Sequence, residues 1–277
     1  MSVTVIVPAH QEERLIGACL DALLASGPVE GVEVIVAANG CRDGTVAEAR
    51  AREAAFAARG WSLQVLDLPE GGKPGALNAA EAVATFGARV FVDADVTVSP
   101  ELLPLVARVL DRAGPVYASG RVRITGGTAG GWVSRAYARM WARVPFMAQG
   151  VPGCGLFAVN AAGRARWGAF PAIIADDAFV RLHFAAAERV MVDASYDWPV
   201  APGFGALLRV RRRQNRGVAE IAERFPALMA NEDKGSAGPW SVVRMALADP
   251  VGFGVYGAVS VIVALVPARD AAWSRGR

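Results

Sequence analysis

Little in this chain can staple a fold or bind a soft metal. Its 277 residues include three cysteines and two histidines. Cys19, Cys41 and Cys154 are an odd number, far apart, with no CxxC and no paired Cys/His spacing. That excludes a disulfide framework and a structural zinc, and it fits a reducing compartment. Lysine is almost missing: Lys73 and Lys234 stand alone, and arginine supplies the rest of the 29 basic residues. Against 26 acids the net charge is only +3, too thin a balance for a nucleic-acid footprint. There is no internal repeat and no long low-complexity tract, which excludes a solenoid. With 20% charged and 53% hydrophobic residues the chain is neither disordered nor fibrous. The opening MSVTVIVPAHQEE meets acids too early for a signal peptide, so a cytoplasmic protein is expected. A mean hydropathy of +0.31 raises the prospect of contact with the inner face of a membrane.

What is present alternates. Val3–Val7 is a β-branched run ended by Pro8, a buried strand. From Glu12 to Ser26, Leu15, Ile16, Cys19, Leu20, Leu23 and Leu24 recur at helical spacing, closed by Gly27-Pro28. Val32–Ala37 reads as a strand, Thr45–Arg59 as a helix, Leu63–Leu68 as a strand, Gly75–Phe86 as a helix and Arg89–Val92 as a strand. Strict alternation of strand and helix predicts a mostly parallel sheet with crossover helices, an α/β fold.

Beyond Pro115 the rhythm changes. Val116–Thr125 reads as a strand, Gly126–Gly131 as a bend, Trp132–Phe146 as a helix and Asp176–Ala187 as another. Arg209 to Arg216 holds five arginines in eight residues. Gly and Pro clusters suggest three segments: 1–114, 115–235 and an apolar helical tail, 236–277. Pro250 to Ala268 has no charged residue, so it reads as a core helix, an interfacial helix or a span. Arg269, Arg275 and Arg277 follow it, which disfavours a single span out of the cytoplasm.

Three constellations carry chemistry. Asp93-Ala94-Asp95 ends an apolar strand, where open α/β sheets bind ligands. Alternation along an extended chain points both carboxylates to one side, an arrangement suited to magnesium or manganese on a diphosphate. A solvated turn is the plain alternative for such a triplet alone. Gly71-Gly72-Lys73-Pro74-Gly75-Ala76-Leu77-Asn78 lets backbone approach a ligand beside a cation. It is not a Walker loop, because Asp67 and Pro74 stand where Gly and Ser/Thr belong. Asp176-Asp177 follows an apolar stretch and opens a helix, as a cap with a favourable first-turn acid would. Gly153-Cys154-Gly155-Leu156-Phe157-Ala158 has dinucleotide-fingerprint spacing, but Gly150 and Pro152 break the strand that should precede it, and Leu156–Val159 reads as strand.

Five landmarks in order carry a family resemblance: Val7-Pro8-Ala9-His10-Gln11-Glu12-Glu13, Asn39 to Thr45, Gly72 to Asn78, Asp93-Ala94-Asp95 and Asp176-Asp177. From Val3 to about Gly217 the chain resembles the family 2 glycosyltransferases of the GT-A fold. That resemblance implies a mixed, mostly parallel sheet flanked by helices and a nucleotide-sugar donor, UDP-linked by default, with GDP or dTDP as alternatives. It puts Pro8, Ala9 and Glu12 beside base and ribose, Asn39 near the base, Lys73 and Asn78 at the nucleotide, and Asp93 at the ribose. It gives Asp95 to a Mg2+ or Mn2+ ion, makes Asp177 the general base and Asp176 its helper, and lets Gly153–Ala158 floor the acceptor site. Gln11 replaces the usual Asn, and Ala38-Asn39 the usual acidic pair. Arg213 and Arg216 fall where processive members carry QxxRW, so they clamp the diphosphate or close a lid, or are a basic face that is solvated or meets anionic lipid headgroups. The Trp is missing, which favours transfer of a single sugar to a hydroxyl acceptor, lipid or polysaccharide. His183 is either a third metal ligand or a structural histidine. Two alternatives are a catalytically silent nucleotide-binding module and a sugar-phosphate nucleotidyltransferase. The latter's Gly-rich opening is replaced by Pro8-Ala9-His10-Gln11.

Overall fold

The structure, a computed structural model, describes residues 1–126, 131–235 and 237–265. Residues 127–130 of the expected bend, Ser236 at the second expected boundary and the end of the apolar run beyond Leu265 lie outside these residues. Eight strands form one mixed sheet: β1 Val3–Ala9, β2 Val32–Asn39, β3 Ser62–Leu68, β4 Ala88–Val92, β5 Thr97–Val98, β6 Tyr117–Thr125, β7 Leu156–Val159 and β8 Arg189–Pro199. Their order is β3-β2-β1-β4-β7-β6-β8-β5. The β3-β2-β1-β4 half is parallel throughout. Strand β7 enters antiparallel to both β4 and β6. The result is the mixed, mostly parallel GT-A-like sheet that the resemblance implies.

The helices are α1 Ile16–Leu24, α2 Thr45–Arg50, α3 Glu53–Ala58, α4 Lys73–Val83, α5 Leu102–Leu110, α6 Trp132–Trp141, α7 Pro145–Gln149, α8 Ala161–Arg164, α9 Asp176–Arg181, α10 Phe204–Arg224, α11 Pro239–Ala248 and α12 Pro250–Leu265. Two predicted helices are broken. Thr45–Arg59 divides at Ala51-Arg52, where Arg52 Nη1 reaches back to the Glu48 carbonyl at 2.7 Å and its Nε meets Asp21 at 3.1 Å. Trp132–Phe146 divides before Pro145, which disfavours helical backbone at Val144 and then starts α7. The helix expected to reach Ala187 stops at Arg181, and a short 3₁₀ turn over Ala186–Glu188 follows.

Both faces of the sheet are covered. Along β1, Val3, Val5 and Val7 point to one core, with α1 and α5, while Ile6 points to the other, with α4, Phe91 and Phe157. Each such side chain contributes roughly 1.5–3 kcal/mol on full burial. A third cluster joins α6, α10 and α12 through Tyr137, Trp141, Leu207 and Val259. Thus α12 is core on one side, and no described helix is long and apolar enough to cross a membrane. Trp141 and Trp167 are buried, whereas Trp132 is exposed.

Candidate active site

In an open parallel sheet a ligand crevice forms beyond the strand ends where the connections diverge to opposite sides. Here that point lies between β1 and β4, since β2 flanks β1 on one side and β4 on the other. A narrow cleft opens there, lined by Pro8 from β1, Lys73 and Leu77 from α4, Asp93 after β4, and Asp176 and Asp177 from α9. Phe91, Val92, Gly155 and Phe157 complete its wall. Five of the residues singled out in the sequence therefore meet in one place: Pro8, Lys73, Asp93, Asp176 and Asp177.

Lys73 is the hub. Its Nζ lies 2.8 Å from Asp93 Oδ1 and 3.0 Å from Asp176 Oδ2. Burial works to lower the Lys73 pKa, but the charges of Asp176, Asp93 and Asp177 outweigh it and hold the ammonium above its usual range. Asp176 is 5% exposed, and desolvation pushes its carboxyl up from 3.8 to about 6 despite Lys73. The sequence expectation of a capping aspartate needs correction. The cap position is Ala175, and the Asp176 side chain turns into the cleft toward Lys73. Asp177 Oδ1 accepts the Ala178 N–H at 2.7 Å.

Two asparagines act as struts. Asn39 Nδ2 donates to the Ala9 carbonyl at 2.8 Å, and its Oδ1 accepts from Gly72 N at 2.9 Å. It thereby ties the end of β1 to the loop that delivers Lys73. The Asn78 amide meets both backbone groups of Phe170, at 2.9 and 2.7 Å. This fastens α4 to the segment that leads into α9. Beside these, Glu12 is placed by its backbone N–H, which donates to Thr45 Oγ1 at 2.7 Å.

The floor depends on Gly155. Its φ is +75°, a Cβ there would lie 2.8 Å from Trp198 Cδ1, and its carbonyl accepts the Asp93 N–H at 2.8 Å. The opposite prop is α10. Gly217 packs so closely that a Cβ would stand 2.8 Å from that of Ala175. Glu220 Oε2 accepts from Ile174 N at 3.0 Å, and Arg224 Nη1 donates to the Ala172 carbonyl at 2.7 Å. Sequence reading did not single out Glu220 or Arg224. Their spacing of four on a helix was visible, but the loop they hold was not.

Other candidates stand apart from the cleft lining. Asp95 is half-buried in the turn between β4 and β5. Arg213 and Arg216 are exposed on α10. His183 sits between Trp167 and Phe179, with Nδ1 2.8 Å from the Phe179 carbonyl. Burial lowers its pKa. Among the described residues no group of three or more His, Cys, Asp or Glu side chains is placed to hold a metal ion. The donor chemistry still fits magnesium or manganese, which take one or two protein carboxylates and complete their shell with phosphate and water.

The sequence matches the model of glycosyl transferase family 2 over residues 4–165. The chain belongs to that family. No curated protein matches this glycosyltransferase by sequence. Among solved structures it is similar to the mannosyltransferase PcManGT of Pyrobaculum calidifontis, in complex with GDP-Man and Mn2+. That match has a TM-score of 0.61 at 21% identity, over 96% of this chain and 76% of the other. Glucosyl-3-phosphoglycerate synthase of Mycobacterium tuberculosis, with Mn2+, UDP and glucosyl-3-phosphoglycerate, matches at TM-score 0.53 and 20% identity over 84% and 82%. TarS 1–349 of S. aureus matches at 0.54 and 16% over 80% of this chain and 66% of that one. The chain thus spans slightly under two thirds of that relative, and 55% of a longer TarS chain. At these identities the likeness concerns the fold.

Proposed function

We propose that this chain is an inverting glycosyltransferase that moves one sugar from a nucleotide-sugar to a hydroxyl acceptor, with Asp177 as general base. The observation that carries the reading is the convergence of Lys73, Asp93, Asp176 and Asp177 on one cleft beyond β1 and β4. Segment 1–114 supplies the donor half, 115–235 the acceptor half and 236–277 the tail. The donor is UDP-linked by default. The GDP-Man and UDP bound by structural relatives keep both nucleotides in play.

In the single displacement, Asp177 takes the proton of the acceptor hydroxyl as its oxygen bonds the anomeric carbon. The bond from that carbon to the diphosphate oxygen breaks, the electron pair leaves with the diphosphate, and configuration inverts. Lys73 offers positive charge where negative charge gathers on the leaving group. Asp176 and Asp93 hold its ammonium in the cleft. Asp95 would hold the divalent cation, which adds Lewis-acid stabilisation of the diphosphate. Pro8 and Ala9 offer backbone and an apolar edge to the base.

The test is release of free nucleoside diphosphate from UDP-, GDP- and dTDP-sugars, with and without manganese. Release from one donor, increased by manganese, is the expected result. Thermal stabilisation by a donor without release from any of them would favour a silent nucleotide-binding module instead, and neither stabilisation nor release would overturn the reading.

A further inference from the structure

The helices after the cleft carry a surface that the transfer reaction does not use. On α12 the exposed positions include Val251, Gly254, Ala258, Val261 and Leu265, spaced three and four apart on a single face. Every one is apolar. The opposite face is occupied: Val259 is fully buried, and Tyr256 packs its ring 5.3 Å from that of Tyr137 on α6. On α11, Trp240 is 84% and Leu247 78% exposed, with Val243 between them at helical spacing. A helix partnered only by water carries polar residues on its outer face. These two helices carry apolar ones, while α12 lies against α6 and α10.

Charge states what covers this face. Across 132–149, 204–224 and 239–265 there are ten arginines, no lysine and three acids, Glu220, Glu223 and Asp249. These segments together are positive by seven, in a chain whose total is +3. Arg244 on α11 and Arg209, Arg213 and Arg216 on α10 are exposed. An apolar helical face bordered by arginine, with tryptophan at one end, fits the boundary of an anionic bilayer. Since no described helix is long and apolar enough to cross, the geometry is that of a helix pair lying on the surface.

We propose that α11 and α12 form an interfacial docking face for anionic lipid bilayers, seated by Trp240, Leu247, Val251, Val261 and Leu265 and steered by arginines of α10 and α11. The face is independent of the cleft, so it stands or falls apart from the transfer reaction.

The experiment is co-sedimentation of the full chain with vesicles of phosphatidylcholine alone, or mixed equally with phosphatidylglycerol, at low and high salt. Sedimentation with the mixed vesicles, weakened by salt, is expected; indifference to phosphatidylglycerol would overturn the proposal. Trp240→Ser with Leu247→Ser replaces side chains already in solvent, so folding is retained and binding should fall at least tenfold. Arg209→Gln with Arg244→Gln should remove about tenfold or more, chiefly at low salt. Binding unchanged in both pairs would overturn the assignment. So would a stable dimer that Trp240→Ser with Leu247→Ser dissociates, because a second copy would then be the occupant.

Discussion

Asp176 is the place where the cleft is held at the expense of stability, and replacing it by asparagine measures by how much. Burial raises its carboxyl from 3.8 to about 6. A group whose folded pKa lies above its unfolded value binds protons more tightly when native. Stability is therefore lost as pH rises from the lower value to the higher, then levels off. At 1.36 kcal/mol for each tenfold change in proton affinity, the full penalty is about 3 kcal/mol. About 2 kcal/mol of it accrues between about pH 4.5 and about pH 8. Asp176→Asn keeps the shape and removes the charge. Relative to wild type, the variant should gain about 2 kcal/mol over that range, equivalent to about 4–8 °C in Tm for a chain of this size. Urea or thermal unfolding of both proteins at the two pH values reads the difference directly, because other carboxylates cancel. A difference that does not move with pH, or moves against the variant, would mean that the Lys73 pair outweighs desolvation, and the reasoning would fail.

Other outcomes follow from the same contacts. Asn78→Ala leaves both backbone groups of Phe170 without their partner and should lower stability by about 1–3 kcal/mol in urea titration. Gly217→Ala places a methyl group against Ala175, and should destabilise by about 1–3 kcal/mol and reduce turnover by shifting the segment that carries Asp176. Lys73→Met leaves Asp93 and Asp176 facing each other without a cation. It should raise the donor KM at least tenfold and lower the thermal unfolding temperature, at about pH 5 as at about pH 8, because an ammonium held above its usual range stabilises the native state wherever it is charged.

The parallel half of the fold was legible because β1, β2 and β4 are short, largely apolar runs buried throughout, and its helices keep one period. Strand β8 was not singled out, although Val192, Ala194, Tyr196 and Trp198 alternate with Asp193, Ser195 and Asp197 across it. Its partner β6 lies some seventy residues away, and pairing at that distance leaves no local mark. Within the site, the charged residues of the cleft were legible by type and by their place after strands. The roles of Asn39 and Asn78 were not. An amide in a ligand-binding motif reads as a ligand contact, whereas here each amide is engaged with backbone. Gly155 was visible as part of a small-residue stretch, but its clearance from Trp198 depends on a strand crossing that only the fold supplies.

Asp177 is proposed to take the acceptor's proton while other residues hold the donor. The most direct measurement compares wild type with Asp177→Asn, reading donor binding by calorimetry and nucleoside diphosphate release under saturating donor. The variant should bind donor within about threefold of wild type and lose at least a hundredfold in release, the scale of a general base. Turnover by Asp177→Asn at the wild-type rate would contradict it.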